Sequence, residues 1–388
     1  MDRRQASMTE DQSGEPGGAS LDGVTIADFS RVLAGPLATM ILGDLGARVV
    51  KVERPGTGDE TRSWGPPYSD TGESSYYLGV NRNKTSLVID LKTSDGQRRA
   101  RELAVTSDVV VENFRPGTMD RYGLGYDELS IENPRLVYAR ITGFGSGKGV
   151  DMPGYDYLVQ AMSGLMSITG EPDGPPTKVG VAVVDVLTGL FTVSAILAAL
   201  FERESSSHGQ FIEVSLFESA LAGLVNQASS YLTGGVVPQR LGMFHPSIAP
   251  YETFATSSDR IVITVGNDDQ FGRLCSVLGL DEVANDERWM SNDARVRNRH
   301  ELHAMLEAAL RRASSEEWVD RLTEAGIPCG PINDIEAAFQ LADELGLDPV
   351  AELARADGSN IRTVSNPIHF SRTPVSYRLA PPRLGEHA

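Results

Sequence analysis

The chain reads as an α/β protein, with a large domain built on a parallel sheet and a smaller α+β domain. Three observations predict this. Short runs rich in β-branched residues, such as "RVVKVE", "DVVVENF" and "LVYARITGF", alternate with helical stretches over the first half. Their short apolar cores carry little polar alternation, as in strands covered on both faces. Near residue 245 the pattern changes to a hairpin followed by a series of helices.

Taken in order, "VTIADFS" is a strand, "GPLATMILGDLGA" a helix and "RVVKVE" the next strand. "KTSLVIDL" follows, then the helical "SDGQRRARELAVTS" and the strands "DVVVENF" and "LVYARITGF". "YDYLVQAMSGLMSITG" is expected as one helix, and the loop "GEPDGPPTKVG" leads to "VGVAVVDVLTG". The strand "QFIEVSL" feeds a helix, "FESALAGLVNQASSYLTGG", closed by paired glycines. "PYETFATSSDRIVITV" is a hairpin turning at Ser257 to Asp259, and a second turn is expected at Asp357-Gly358. The domains expected are a disordered tail over 1–20, a Rossmann-like large domain over 21–215, a linker helix over 216–244 and a small domain over 245–335. Residues 336–388 then return to the large domain.

Composition narrows the function. A formal net charge of −18 over 388 residues argues against nucleic acid or an anionic membrane as partner, so an anionic ligand must meet a local cluster of positive charge. Cys275 and Cys329 stand far apart with no C-x-x-C spacing, which suits a reducing cytoplasm and offers no thiolate metal site. None of the six histidines lies in a metal-binding spacing, so no metal is expected. The N-terminal stretch lacks the apolar core of a signal peptide. The apolar segment Val186 to Phe201 is shorter than a typical membrane span and reads as a buried helix.

Within this frame one residue is out of place. Asp185 lies between an apolar run and the apolar segment that follows, with no basic residue close by. As an N-cap it would bond the first free N–H groups of the helix, typically worth about 1 kcal/mol. The same place suits a carboxylate nucleophile, which must stay charged beside an electrophile. The pattern alone leaves both readings open. Elsewhere "RVLAGP" joins a strand to a helix without the G-x-G-x-x-G fingerprint of a dinucleotide site, so an NAD-linked oxidoreductase is a remote option. Arg54, Arg82, Lys84, Arg115 and Arg121 recur at strand ends and loops, where they are either scattered surface charges or a cluster for phosphates. His245, in "MFHPSIAPY", is a loop histidine, exposed or in contact with a ligand.

"LDGVTIADFSRVLAGPLATMILGDLGARVVKVERPGTGD", "NRNKTSLVIDLK", "DVVVENFRPGTMDRYGLGYDEL", "GYDYLVQAMSG", "GVAVVDVLTGL" and "GIPCGPINDI" together resemble the family III coenzyme A transferases, the CaiB/BaiF type. The likeness runs in the family's order from Leu21 to the terminal "LGEH". It implies a large α/β domain closed by both chain ends, a smaller middle domain and an interlocked homodimer. It implies that Asp185 is the catalytic nucleophile, passing through an aspartyl anhydride and an aspartyl-CoA thioester. No resident cofactor is implied; coenzyme A enters as a thioester substrate together with a small carboxylic acid. By the same comparison CoA contacts fall on Val32, Leu33, Ala34, Arg54, Asn83, Lys84, Asn113, Phe114, Arg115 and Arg121, with Tyr155 and Asp156 near the reacting end. Arg54, Lys84 and Arg121 are expected to face the phosphates, and His245 and Ser247 to contact the acid.

Departures from the family pattern narrow the substrate. No glycine run covers the site and Leu33 replaces a glutamine, which speaks against oxalate. Tyr155 stands where the family's acyl-CoA racemases need a histidine, which weakens that alternative. "HPSIAPYETF" and "VGNDDQF" look most like members that use succinyl-CoA and glutarate. A non-catalytic CoA-binding protein, with Asp185 serving only as a cap, is the reading from another class.

Overall fold

Six strands form a fully parallel sheet in the order β3-β2-β1-β4-β5-β6. In chain order its parts are β1 (Thr25–Asp28), α1 (Ala34–Asp44), β2 (Arg48–Glu53), β3 (Lys84–Val88), α2 (Ser94–Val105), β4 (Val109–Glu112), β5 (Val137–Thr142), α3 (Asp156–Met162), α4 (Val183–Ser206), β6 (Phe211–Ser215) and α5 (Leu216–Gly223). The strand order reverses between β1 and β4, which opens a crevice at their carboxyl ends. The computed structural model describes residues 18–387. Residues 1–17, most of the expected tail, lie outside the described residues. Ser20 bonds Thr373 at 2.8 Å, so fixed structure begins before Leu21.

The strands bury both faces, as their apolar runs require. On one side Ile26, Val109, Val111 and Ile141 pack with Ala38 and Leu42 of α1 and Val193 and Ile196 of α4. On the other, Ala27, Val110 and Tyr138 pack with Ala100 and Ala104 of α2. Each large apolar side chain so buried contributes about 1.5–3 kcal/mol. The α4 helix is longer than its apolar segment: its 24 residues could cross a membrane by length and composition. Half of its most apolar 18-residue stretch is buried within the protein, and so is Arg203 near its end, as befits a core helix.

Two helices expected to be continuous are broken. The first ends at Met162, and Gly164 at φ +90° starts a separate turn, Leu165–Ile168. The second divides at Leu224 into α5 and α6 (Val225–Leu232), with Val225 at φ +39°. In both, the apolar spacing carries on across the break, so a periodicity reading misses it.

The chain forms two compact units. The first takes the chain through Ser163, Gly180–Val225 and the part from Asp348 onward; the second takes Gly164–Val179 and Asn226–Leu347. The second contains an antiparallel sheet of β7 (Tyr251–Ala255), β8 (Arg260–Thr264) and β9 (Cys329–Pro331), with α7 (Asp268–Leu278), α8 (Arg299–Leu310) and α9 (Ser315–Glu324) packed around Phe254, Leu274, Leu306 and Trp318. It also holds α10 (Ile335–Glu344), so the return to the first unit comes at Asp348. There β10 (Val350–Ala354) and β11 (Asn360–Val364) pair around the Asp357-Gly358 turn.

The first unit is closed by its last segment. Asn83 donates to the Ser376 carbonyl at 2.8 Å and its side-chain oxygen accepts from the N–H groups of Arg378 and Leu379. Arg62 reaches the Pro382 carbonyl and Arg355 the Pro381 carbonyl.

Candidate active site

The turn from β1 into α1 is the foundation of the site. Val32 sits at φ +71°, a left-handed conformation that strains a β-branched residue. Two side chains hold it there. Asn113 accepts from the Arg31 N–H at 2.9 Å and donates to the Arg31 carbonyl at 2.7 Å. Asp59 faces the Val32 N–H at 3.3 Å.

Buried charges underpin this turn. Lys51 bonds Asp59 at 2.9 Å and the Ser30 carbonyl at 3.0 Å. Asp28 accepts from Ser30, Thr39 and Lys84. Burial alone would raise Asp28, but Lys84 and Lys51 overcome it and hold its pKa at about 2. Lys84 is pulled down to about 8 by burial, against the attraction of Asp28.

A cavity of about 360 Å³ opens above this turn. It is lined by Val32, Leu33 and Ala34 after β1, by Asn113, Phe114 and Arg115 after β4, by Thr142 to Gly145 after β5, and by Tyr155, Asp156 and Asp185. It therefore occupies the switch-point crevice, where ligands of such sheets bind. A second cavity of about 220 Å³ lies beside the ends of β2 and β3, lined by Arg54, Ile89, Leu91, Lys92, Phe114 and Tyr122. Arg31 and Phe114 border both cavities, with the guanidinium 4.7 Å from the ring centroid.

Asp185 is not the N-cap of α4. The helix begins at Val183, so Asp185 stands third, and its preceding residue Ala182 supplies no side-chain cap. The cap comes from Asp156, whose Oδ1 accepts from the Val184 N–H at 2.8 Å and the Asp185 N–H at 3.3 Å. Among the described residues no side chain donates a hydrogen bond to the Asp185 carboxylate. Burial first, and then the charge of Asp156, raise its pKa to about 7. Such a carboxylate is unusually basic and close to apolar walls, as a nucleophile is. Close packing at Gly189 sets its distance from α1, since a Cβ there would lie 2.9 Å from the Ala34 carbonyl.

The remaining expected residues divide. Arg54 borders the second cavity; Arg121 is exposed and bonds Thr118, which borders that cavity too. Lys84 does not face phosphates: it is fully buried, and Asp28, Pro36 and Asn81 take up its ammonium. Asn83 and Arg82 are likewise buried, Asn83 on the closing segment and Asp44, and Arg82 on Asp44 and Val364. Tyr155 is 65% exposed at the cavity mouth.

His245 and Ser247 belong to the second unit. There Arg299 holds the His245 and Pro246 carbonyls, Asn292 the Ser247 carbonyl and Arg295 that of Ala249. Burial, and then Arg299, lower the pKa of His245.

Sequence reasoning missed Arg31, Glu60, Trp64, Tyr76 and Lys92. Arg31 pairs with Glu60 at 2.6 Å, and both line the first cavity with Trp64. Tyr76 packs edge-on against Trp64, and burial followed by the charges of Asp185 and Asp156 pushes its phenol up to about 12. The available signal was aromatic clustering in "RSWGPPYSDTGESSYY", which looks like an ordinary loop.

The model of CoA-transferase family III matches residues 21–388. The chain is 44% identical over 373 residues to succinate–glutarate CoA-transferase of Agrobacterium fabrum, covering 95% of this chain and 93% of that one. It is 43% identical over 336 residues to acetyl-CoA:oxalate CoA-transferase of Acetobacter aceti, covering 86% of each. A crystal structure of a CaiB/BaiF family protein from Brucella suis superposes with a TM-score of 0.84 at 41% identity, covering 96% of this chain and 98% of that one.

Proposed function

The chain belongs to CoA-transferase family III, and on that premise we propose that it moves CoA from succinyl-CoA to a small dicarboxylate through Asp185. One observation carries this reading: a basic carboxylate, without a side-chain hydrogen-bond donor among the described residues, stands in a cavity at the sheet's switch point. Its relatives that act on succinate and glutarate support the choice of acids.

The nucleotide of CoA is assigned to the second cavity, where Ile89, Leu91, Phe114 and Tyr122 offer apolar and aromatic surface for a base. Arg54 and Lys92 stand at the same cavity for the phosphates. The thioester arm then passes Arg31 and Phe114 toward Asp185. The carboxylate attacks the thioester carbonyl, forming an aspartyl–acyl anhydride and expelling CoA thiolate. The thiolate attacks the Asp185 carbonyl, which releases the donor acid and leaves aspartyl-CoA. An acceptor carboxylate runs the two steps in reverse and departs as its own thioester. One thioester replaces another, so the reaction needs neither ATP nor a resident cofactor.

A racemase would need a base beside the substrate's α-carbon, and the position before Asp156 offers the phenol of Tyr155. A homodimer is also part of the proposal, supported by Leu190, Phe191 and Phe201 on the outer face of α4, the last 82% exposed. Sedimentation at micromolar concentration should give twice the chain mass; a monomer would remove that part.

The test is CoA transfer from succinyl-CoA, without ATP, to glutarate, malate, citramalate, itaconate, oxalate and carnitine. Transfer to one or two dicarboxylates is expected, abolished in Asp185→Ala. Wild-type rates in that variant would overturn the assignment of the nucleophile.

A further inference from the structure

We propose that Asp156 is a positioning residue for the reaction. Its carboxylate anchors the first turn of α4 and, as a second negative charge facing Asp185, drives the nucleophile toward its neutral acylated states. The proposal rests on the reading of Asp185 as nucleophile.

The geometry is specific to this pair. Oδ1 of Asp156 accepts from the backbone N–H of Asp185 itself as well as from Val184, and Oδ2 accepts from Gln160 Nε2 at 2.6 Å. All three donors are uncharged, so they orient the carboxylate without cancelling its charge. Among the described residues no ion pair is formed by either Asp156 or Asp185. The other titratable groups around the cavity leave that charge standing. Arg31 is engaged by Glu60, Arg115 lies exposed on the loop after β4, and Tyr155 brings no cation. From α1 and α5 the cavity receives only Ala34 and Leu216.

The chemistry gives this repulsion a direction. Before attack, two carboxylates face each other in partly apolar surroundings. Attack by an Asp185 oxygen forms a C–O bond and breaks the C–S bond, so the charge passes to the CoA thiolate. When the thiolate forms its bond to the Asp185 carbonyl, the anhydride C–O bond breaks and the charge departs with the donor acid. In the anhydride and in the thioester Asp185 is neutral, and its repulsion with Asp156 is gone. Destabilisation of the free carboxylate relative to these states is what makes the acylation favourable.

The test uses the full chain mixed with succinyl-CoA alone across a pH series, quenched in acid, with the CoA-bearing fraction read by intact mass. Wild type is expected to carry the adduct and Asp185→Ala none. Asp156→Asn keeps an oxygen to cap α4 and removes the charge; Asp156→Ser is a second neutral acceptor should the amide pack poorly. At wild-type melting temperature, the ratio of adduct to free enzyme is expected to fall about tenfold. The pH midpoint for adduct formation should move down toward the ordinary carboxylate range. A wild-type ratio and midpoint in a neutral variant would overturn this proposal alone. No adduct on the wild type at any pH would overturn the nucleophile assignment, and this proposal with it.

Discussion

The amide of Asn113 clasps the backbone of Arg31 at both its N–H and its C=O, at 2.9 and 2.7 Å. Family resemblance gave Asn113 to CoA, yet both its polar atoms are occupied in holding a turn whose next residue, Val32, is strained by about 1–3 kcal/mol. Asn113→Ala should therefore act through the turn. A loss of about 1–2 kcal/mol in urea unfolding is expected, with a raised KM for acyl-CoA. Unchanged stability would show that the turn stands without its clasp.

Gly189 lets α4 approach the start of α1, because a Cβ would lie 2.9 Å from the Ala34 carbonyl, a backbone atom that cannot swing aside. Gly189→Ala should push the helices apart and destabilise by about 1–3 kcal/mol. Transfer should fall as well, since Ala34 and Asp185 line one cavity. Thermal melts and turnover of the same preparation check both effects.

The pH dependence follows from Asp185, whose pKa stands at about 7 against an ordinary 3.8. Between these values the folded protein binds more protons than the unfolded chain, so stability falls as pH rises from about 4 to 7. Asp185→Asn removes that loss and should be more stable than wild type at pH 8, by an amount that shrinks as pH drops below about 7 and is gone below about 4. Activity runs the other way: kcat/KM should rise with pH to a plateau above about 7, as the carboxylate forms. Melting curves and initial rates across pH 5 to 9 check the two signs.

Lys51 is fully buried between Asp59 and the Ser30 carbonyl. Lys51→Met would leave Asp59 buried without its cation and is expected to cost about 3–5 kcal/mol. Lys51→Met with Asp59→Asn should recover part of this. A single variant that melts with the wild type would show that water reaches the pair.

The strands were legible through their β-branched runs, whereas the burial of Lys51 and Glu53 depends on Asp59 and Arg62 outside the strand. "RVVKVE" spans Arg48–Glu53, with all but the first residue buried. The break at Gly164 was hidden by an apolar period that runs on past it, and a lysine in a core looks in sequence like one on a phosphate. Lys84 was misplaced for that reason: what distinguishes it is Asp28, fifty-six residues away. Asp185 stood out through the apolar run around it. The cap of its helix comes from Asp156, which no local pattern ties to Asp185 because the two are 29 residues apart.

The closing segment of the first unit also bears on how the chain is made. Asn83 leaves the ribosome early, yet the carbonyl it grips at Ser376 lies 293 residues later. Arg62 waits longer still for Pro382, 320 residues on. The second unit, with its own core around Phe254 and Trp318, is synthesised in between and can pack before the first is finished. Until the rest is translated, Asn83 has only Asp44, and Arg62 only Glu53 and Tyr77, among the partners they hold in the finished fold. The contacts that close the first unit are thus the last of its contacts to form.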